Sequence, residues 1–156
     1  MFRRLCFALP SKVLAGFALY GLISCGGSAT PATTGTAGPF AGQWSAHDTS
    51  VTVDPSGHGI LTWRTYKTCG QDPPPCDSMS GNTITAGGRA TILVTAIGDD
   101  TARGQVLTST DPADFPPGPL KARLDPHADV VFFSPFPGGP HDPVCGPRAK
   151  SDVCGA

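Results

Sequence analysis

Histidine stands beside or near aspartate at three places in this chain: His47-Asp48, His141-Asp142 and the run Asp125-Pro126-His127-Ala128-Asp129. An imidazole next to a carboxylate is the raw material of a general base or a metal site. Each of these sites, however, falls at a strand end or in a proline-containing turn, where aspartate ordinarily bonds the backbone. Solvated turn residues are the plainer reading. The sequence contains no Glu, so a catalytic carboxylate pair would have to be two aspartates, and nothing singles out such a pair. It also lacks a nucleophile elbow, a metalloprotease helix, a phosphate loop and a dinucleotide fingerprint. The reading therefore assigns no catalytic residue, no metal ligand and no cofactor. Trp63-Arg64-Thr65-Tyr66 offers a different chemistry. On a strand, Trp63 and Thr65 face one way and Arg64 and Tyr66 the other. With Trp63 inside, Arg64 and Tyr66 become an exposed pair of the types enriched at binding hot spots. Against this stands a Tyr shielding a core edge beside a solvated Arg, since single exposed aromatics are ordinary. Phe132, Phe133 and Phe136 form another candidate surface, and Phe115-Pro116-Pro117 reads either as a lid over a barrel mouth or, as Pro-rich loops more often do, as a brace for an edge.

The elements that must position these residues follow a period of two, not 3.6. Segments 43–47, 50–53, 59–67, 82–85, 90–97, 102–109, 119–124 and 130–133 read as strands. Asp54-Pro55-Ser56-Gly57 is a turn with a mechanism: Pro55 presets φ, Asp54 bonds forward and Gly57 accepts positive φ. Gly98-Asp99-Asp100 is a hairpin signal, and Asp125-Pro126-His127 turns between the last two strands. Twenty Gly and 17 Pro leave few windows for a long helix. About eight short strands in sequence-neighbour order make an antiparallel meander, which hides its edges by closing into a small barrel. A two-sheet sandwich is the alternative.

Ahead of these strands, Leu22-Ile23-Ser24-Cys25-Gly26 closes an apolar segment. It resembles the lipobox of bacterial lipoproteins, in which the chain is cut before the cysteine and the thiol carries diacylglycerol. The resemblance implies that residues 1–24 are a lipoprotein signal peptide and that Cys25 is the lipidated first mature residue. The physics agrees. Arg3, Arg4 and Lys12 make a basic start, and the apolar run 13–23 reaches only about 16 Å as a helix, too short for a bilayer core of about 30 Å. Two acyl chains on one cysteine suffice for stable attachment. The expected location is the extracytoplasmic face of a cell membrane, with the bilayer itself as partner through acylated Cys25. The 11 basic and 12 acidic residues divide unevenly, because all the acids but only eight bases follow the cut. A mildly acidic mature chain with no basic stripe excludes nucleic acid as a partner and leaves no polybasic patch for anionic lipid. Membrane association is then expected from the lipid alone.

Cys6 lies inside the signal, which leaves Cys69, Cys76, Cys145 and Cys154 in an oxidising compartment where thiols pair. Of the three pairings, Cys69–Cys76 and Cys145–Cys154 are favoured, because each closes a short loop containing Gly or Pro. Zinc is the alternative, but the spacings are not C-x-x-C. Residues 25–38 comprise the lipidated cysteine and a disordered linker of Gly, Ser, Ala, Thr and Pro, about 20 Å from end to end. Its threonines are candidates for O-linked sugars. Residues 39–156 form one barrel-like domain with disulfide-stapled loops.

Gly42-Gln43-Trp44 resembles the G-x-W signature of lipocalin-like and avidin-like barrels. That resemblance implies that Trp44 plugs one end while an Arg from a late strand, Arg123 first or Arg103 second, packs across it. More widely, Phe40 to His47, Gly59, Trp63 to Tyr66, Cys69 and the endings Cys145-Gly146-Pro147 and Cys154-Gly155-Ala156 are similar to small secreted or lipid-anchored proteins of actinobacteria, of mycobacterial type. This resemblance transfers no active site. Arg64, Tyr66, Trp44 and Arg123 are the candidate binding surface. Two functions follow: a non-enzymatic binding module of the cell envelope holding an apolar ligand or envelope protein, or a hydrolase or metal-handling enzyme using the His/Asp turns. The first is preferred.

Overall fold

A computed structural model describes residues 36–137 and 143–155. Ten strands follow a short 3-10 turn at Gly38–Phe40: β1 Gly42–Ser45, β2 Thr49–Val53, β3 His58–Trp63, β4 Ser78–Ser80, β5 Thr83–Thr85, β6 Gly88–Ala96, β7 Thr101–Ser109, β8 Gly118–Asp125, β9 Val130–Ser134 and β10 Val144–Cys145. Eight of them close into one antiparallel barrel in the order β1-β2-β3-β6-β7-β8-β9-β10, with β10 returning to β1. Only β4 and β5 stand apart, as a small hairpin between β3 and β6. The expected meander closes, and the sandwich alternative falls.

Alternation builds the interior. Val51 and Val53, Leu61 and Trp63, then Ala90, Ile92 and Val94 are buried on successive strands, while their neighbours face out. Leu120, Ala122 and Leu124 on β8 and Val131 and Phe133 on β9 complete the ring. Each large apolar side chain contributes about 1.5–3 kcal/mol on full burial. The interior is thus filled by side chains.

The turns behave as their residues dictate. Asp54 accepts the His58 N–H through Oδ1 (3.1 Å), its carbonyl accepts the Gly57 N–H (2.9 Å), and Gly57 takes φ 91°. Gly88 is needed for a different reason. A Cβ there would land on the Trp63 indole across the β3–β6 pair. Gly88→Ala is expected to lower stability by about 1–3 kcal/mol through overpacking, read as a lower urea midpoint at unchanged m-value.

Two aromatic side chains close the ends. Phe40, from the 3-10 turn, sits fully buried at the end where the β2–β3 and β6–β7 turns lie, and its carbonyl accepts the Trp44 indole N–H at 3.0 Å. Phe115, also fully buried, enters the opposite end and meets Trp63 edge-on at 5.8 Å. Phe115-Pro116-Pro117 is therefore a plug rather than a lid over an open mouth. Arg123 does not cover Trp44 as the G-x-W resemblance implied. It lies between inward Ala122 and Leu124, so alternation turns it outward, where its guanidinium stacks on Phe132 at 4.4 Å. Trp44 itself is buried, only 6% exposed, so its indole belongs to the core rather than to a binding surface.

The strands also depart from expectation: segment 82–85 lies outside the barrel as β5, and β10 completes the ring in its place. Strand β3 stops at Trp63 and not at residue 67, because Arg64 to Tyr66 turn away to bond a distant aspartate. Strands β4 and β10, of three and two residues, were not expected; both are too short to carry a period. Both local disulfides are present, Cys69–Cys76 and Cys145–Cys154, with Cα atoms 5.0 and 5.9 Å apart. Cys25, the segments 1–24 and 26–35, and His141-Asp142 lie outside the described residues.

Candidate functional site

Where β3 ends, the chain makes a 24-residue excursion (64–87) before β6, and one carboxylate organises it. Asp77 is buried, yet its two oxygens accept from the Arg64 Nε (2.9 Å), the Thr65 N–H (3.0 Å) and hydroxyl (3.1 Å), the Tyr66 N–H (3.0 Å) and the Gly87 N–H (2.8 Å). Its own backbone bonds Lys67 and Cys69. Burial raises the Asp77 carboxyl's pKa, but the Thr65 N–H, the Arg64 guanidinium, the Gly87 N–H and the Thr65 hydroxyl together outweigh it and hold the group well below the usual carboxylate range.

This pin aims Tyr66. Its backbone adopts φ 57°, a left-handed conformation unfavourable for a bulky residue and held only where neighbours fix it. The side chain is 64% exposed. Its hydroxyl donates to Asp48 Oδ2 at 3.3 Å, and the Arg64 guanidinium lies 4.9 Å from the ring centroid. Loss of water and the facing Asp48 carboxylate both push the phenol's pKa up. Arg64 and Tyr66 are thus neighbours through an irregular turn and not through strand alternation, and only Tyr66 is exposed, Arg64 being half-buried against Asp77. Around them a cleft of about 330 Å³ is walled by Asp48, Thr49, Lys67, Asp111, Asp114 and Pro137. Its chemistry is an aromatic face, hydrogen-bonding carboxylates and one lysine, suited to recognising a polar partner.

The histidines do not join it. His47 is exposed and its N–H bonds the Cys154 carbonyl, while the adjacent Asp48 serves Thr49 and Tyr66. Asp125 Oδ1 accepts the His127 and Ala128 N–H groups at 3.0 and 3.1 Å, which makes this an aspartate turn. The third acid of that run, Asp129, is buried and turned to Arg148, accepting its N–H at 2.7 Å and its guanidinium at 2.9 Å. Arg148 holds Asp129 below its ordinary pKa despite the opposing burial, and is itself raised. Among the described residues no three His, Cys or Asp side chains gather as metal ligands would.

Asp77 and Asp129 have the same construction. Each is a buried aspartate with one arginine, and each fastens a loop closed by a disulfide. Their folded-state pKa values lie below the ordinary 3.8. Their contribution to stability is therefore complete above that value and is lost as pH falls through the folded values. Thermal unfolding is expected to be nearly flat in this respect from neutrality down to about pH 5 and to fall steeply below about pH 4. Asp129→Asn should flatten that fall.

Sequence reasoning missed Asp77 altogether. No residue pattern signalled it, because its partners are mostly backbone N–H groups.

No protein-family model matches the chain, and no curated protein and no solved structure is significantly similar to it. What fold and site define is a closed up-and-down barrel with filled interior and an aromatic–cation cleft at one end.

Proposed function

We propose that the protein is a lipid-anchored, non-enzymatic binding module on the extracytoplasmic face of a cell membrane, of the kind seen in small actinobacterial lipoproteins. The observation that carries the binding half is Tyr66. An aromatic ring is held in a strained backbone conformation by a buried aspartate and is still left in contact with solvent. A ring that served only the core would not need such support. The anchoring half rests on Leu22-Ile23-Ser24-Cys25 after a short apolar segment. Packing inside the barrel favours an envelope macromolecule met at the surface over an apolar ligand taken inside. The hydrolase or metal-enzyme alternative gains nothing from the positions of His47 and His127.

Two experiments test the reading. Cys25→Ala should move the protein from the membrane fraction to the medium; retention on the membrane contradicts the anchor. A photo-crosslinking amino acid at position 66 should give a discrete adduct in intact cells. The same group at Met79, equally exposed on β4, should not. Equal adduct patterns from the two positions contradict the cleft.

A further inference from the structure

The eight basic residues after Cys25 are scattered in sequence, and no basic patch was expected from them. Register gathers three. On the outer face, Arg103 of β7 lies directly opposite Lys121 of β8, and Arg123, two residues on, lies opposite Thr101 on one side and Phe132 of β9 on the other. Directly opposed side chains have Cβ atoms about 5 Å apart, and like charges so placed are destabilising. Among the described residues none of the three has a carboxylate within ion-pair distance; the two ion pairs, Arg64–Asp77 and Arg148–Asp129, use other residues. The nearest acid on the same strand, Asp125, accepts the Ala128 and His127 N–H groups of its own loop, which lower its pKa; the Arg123 charge helps to lower it, but the two form no ion pair. Phe132 supports the Arg123 guanidinium from one face. The three cations rim a shallow groove of about 440 Å³ whose other walls are Ile97, Thr101, Phe132 and Ser134.

The geometry points to a binding site for a phosphate ester, supplied by the headgroups of an anionic lipid surface. Three cations on neighbouring strands, none in an ion pair among the described residues, suit an oxyanion, with Thr101 and Ser134 among the other residues of the groove. Exposed Ile97 and half-exposed Phe132 provide apolar contact next to the charge. Charge complementarity with an anionic surface, and the apolar contact beside it, favour the lipid as source. This choice of source rests on the anchored reading above; the phosphate chemistry does not.

Lysine acylation tests both parts on the full chain, because Lys67, Lys121 and Lys150 are all exposed and only Lys121 is in the groove. In neutral detergent, replacing chloride by about 10 mM inorganic phosphate at constant ionic strength should lower Lys121 acylation about tenfold relative to Lys67 and Lys150, for a site of about millimolar affinity. Arg103→Gln with Arg123→Gln should abolish that protection while the two reference lysines report an unchanged fold. After reconstitution, vesicles with about 30% phosphatidylglycerol should protect Lys121 and pure phosphatidylcholine should not, with the protection removed by high salt. Protection by phosphate without any vesicle effect overturns the lipid source and leaves a soluble phosphate ester. If Lys121 acylation follows the other two lysines under every condition, the site itself is overturned. Failure of Cys25 to be modified would leave the phosphate arm unchanged, so the two readings fail separately.

Discussion

Asp77→Ala is expected to lower stability by about 3–5 kcal/mol, because it removes a buried carboxylate that holds a partly exposed arginine and three backbone N–H groups. The substitution strands more than a charge. Arg64 loses its counter-ion, and the N–H groups of Thr65, Tyr66 and Gly87 lose their acceptor. The excursion 64–87 should then loosen although its disulfide is intact, since Cys69–Cys76 closes only the inner part of it. Equilibrium denaturation gives the magnitude, and limited proteolysis in 64–87 gives the location. Asp77→Asn keeps the shape but turns one acceptor into a donor facing N–H groups, so it too should be destabilising. A loss below about 1 kcal/mol for Asp77→Ala, the scale of an exposed ion pair, would show that the pin is dispensable.

Phe115→Ala should have a similar effect, about 3–5 kcal/mol, for a different reason. The ring is fully buried at the end of the barrel and contacts Trp63 edge-on. Its loss leaves a cavity that the closed strands cannot collapse around. Phe115→Leu, which keeps most of the volume, should be much milder, about 1.5 kcal/mol or less. The near-ultraviolet circular dichroism of Trp63 should weaken in Phe115→Ala while Trp44, at the other end with Phe40, retains its environment. If Phe115→Ala left stability unchanged, the loop 110–117 would be a lid after all.

How much of this was legible depends on the range of the contacts. Thr49-Ser50-Val51-Thr52-Val53 alternates so plainly that β2 and its inward face could be read directly, and Asp54-Pro55-Ser56-Gly57 announced the turn that follows. From such pieces the meander and its closure could be inferred. Asp77 was not legible, because it acts on backbone N–H groups 10 to 12 residues away, and backbone donors carry no residue signature. The outer cations were hidden for another reason. Arg103 and Lys121 are neighbours only through the β7–β8 register. The pairing of Arg123 with Trp44 conflicts with the pattern of β8 itself, in which Leu120, Ala122 and Leu124 take the inward positions. The segment from Leu22 to Cys25 speaks only through its resemblance to a lipoprotein processing site, and implies nothing about the barrel.

The most direct test of the account is the intact mass of the protein from the membrane fraction of an actinobacterial host, measured before and after reduction beside Cys25→Ala. A chain beginning at Cys25, carrying acyl chains and gaining about four hydrogens on reduction, is the predicted result, because two disulfides join the remaining cysteines. An unacylated chain in the medium, with the same processing in Cys25→Ala, would contradict the anchor and leave a secreted barrel whose Tyr66 cleft faces no particular membrane.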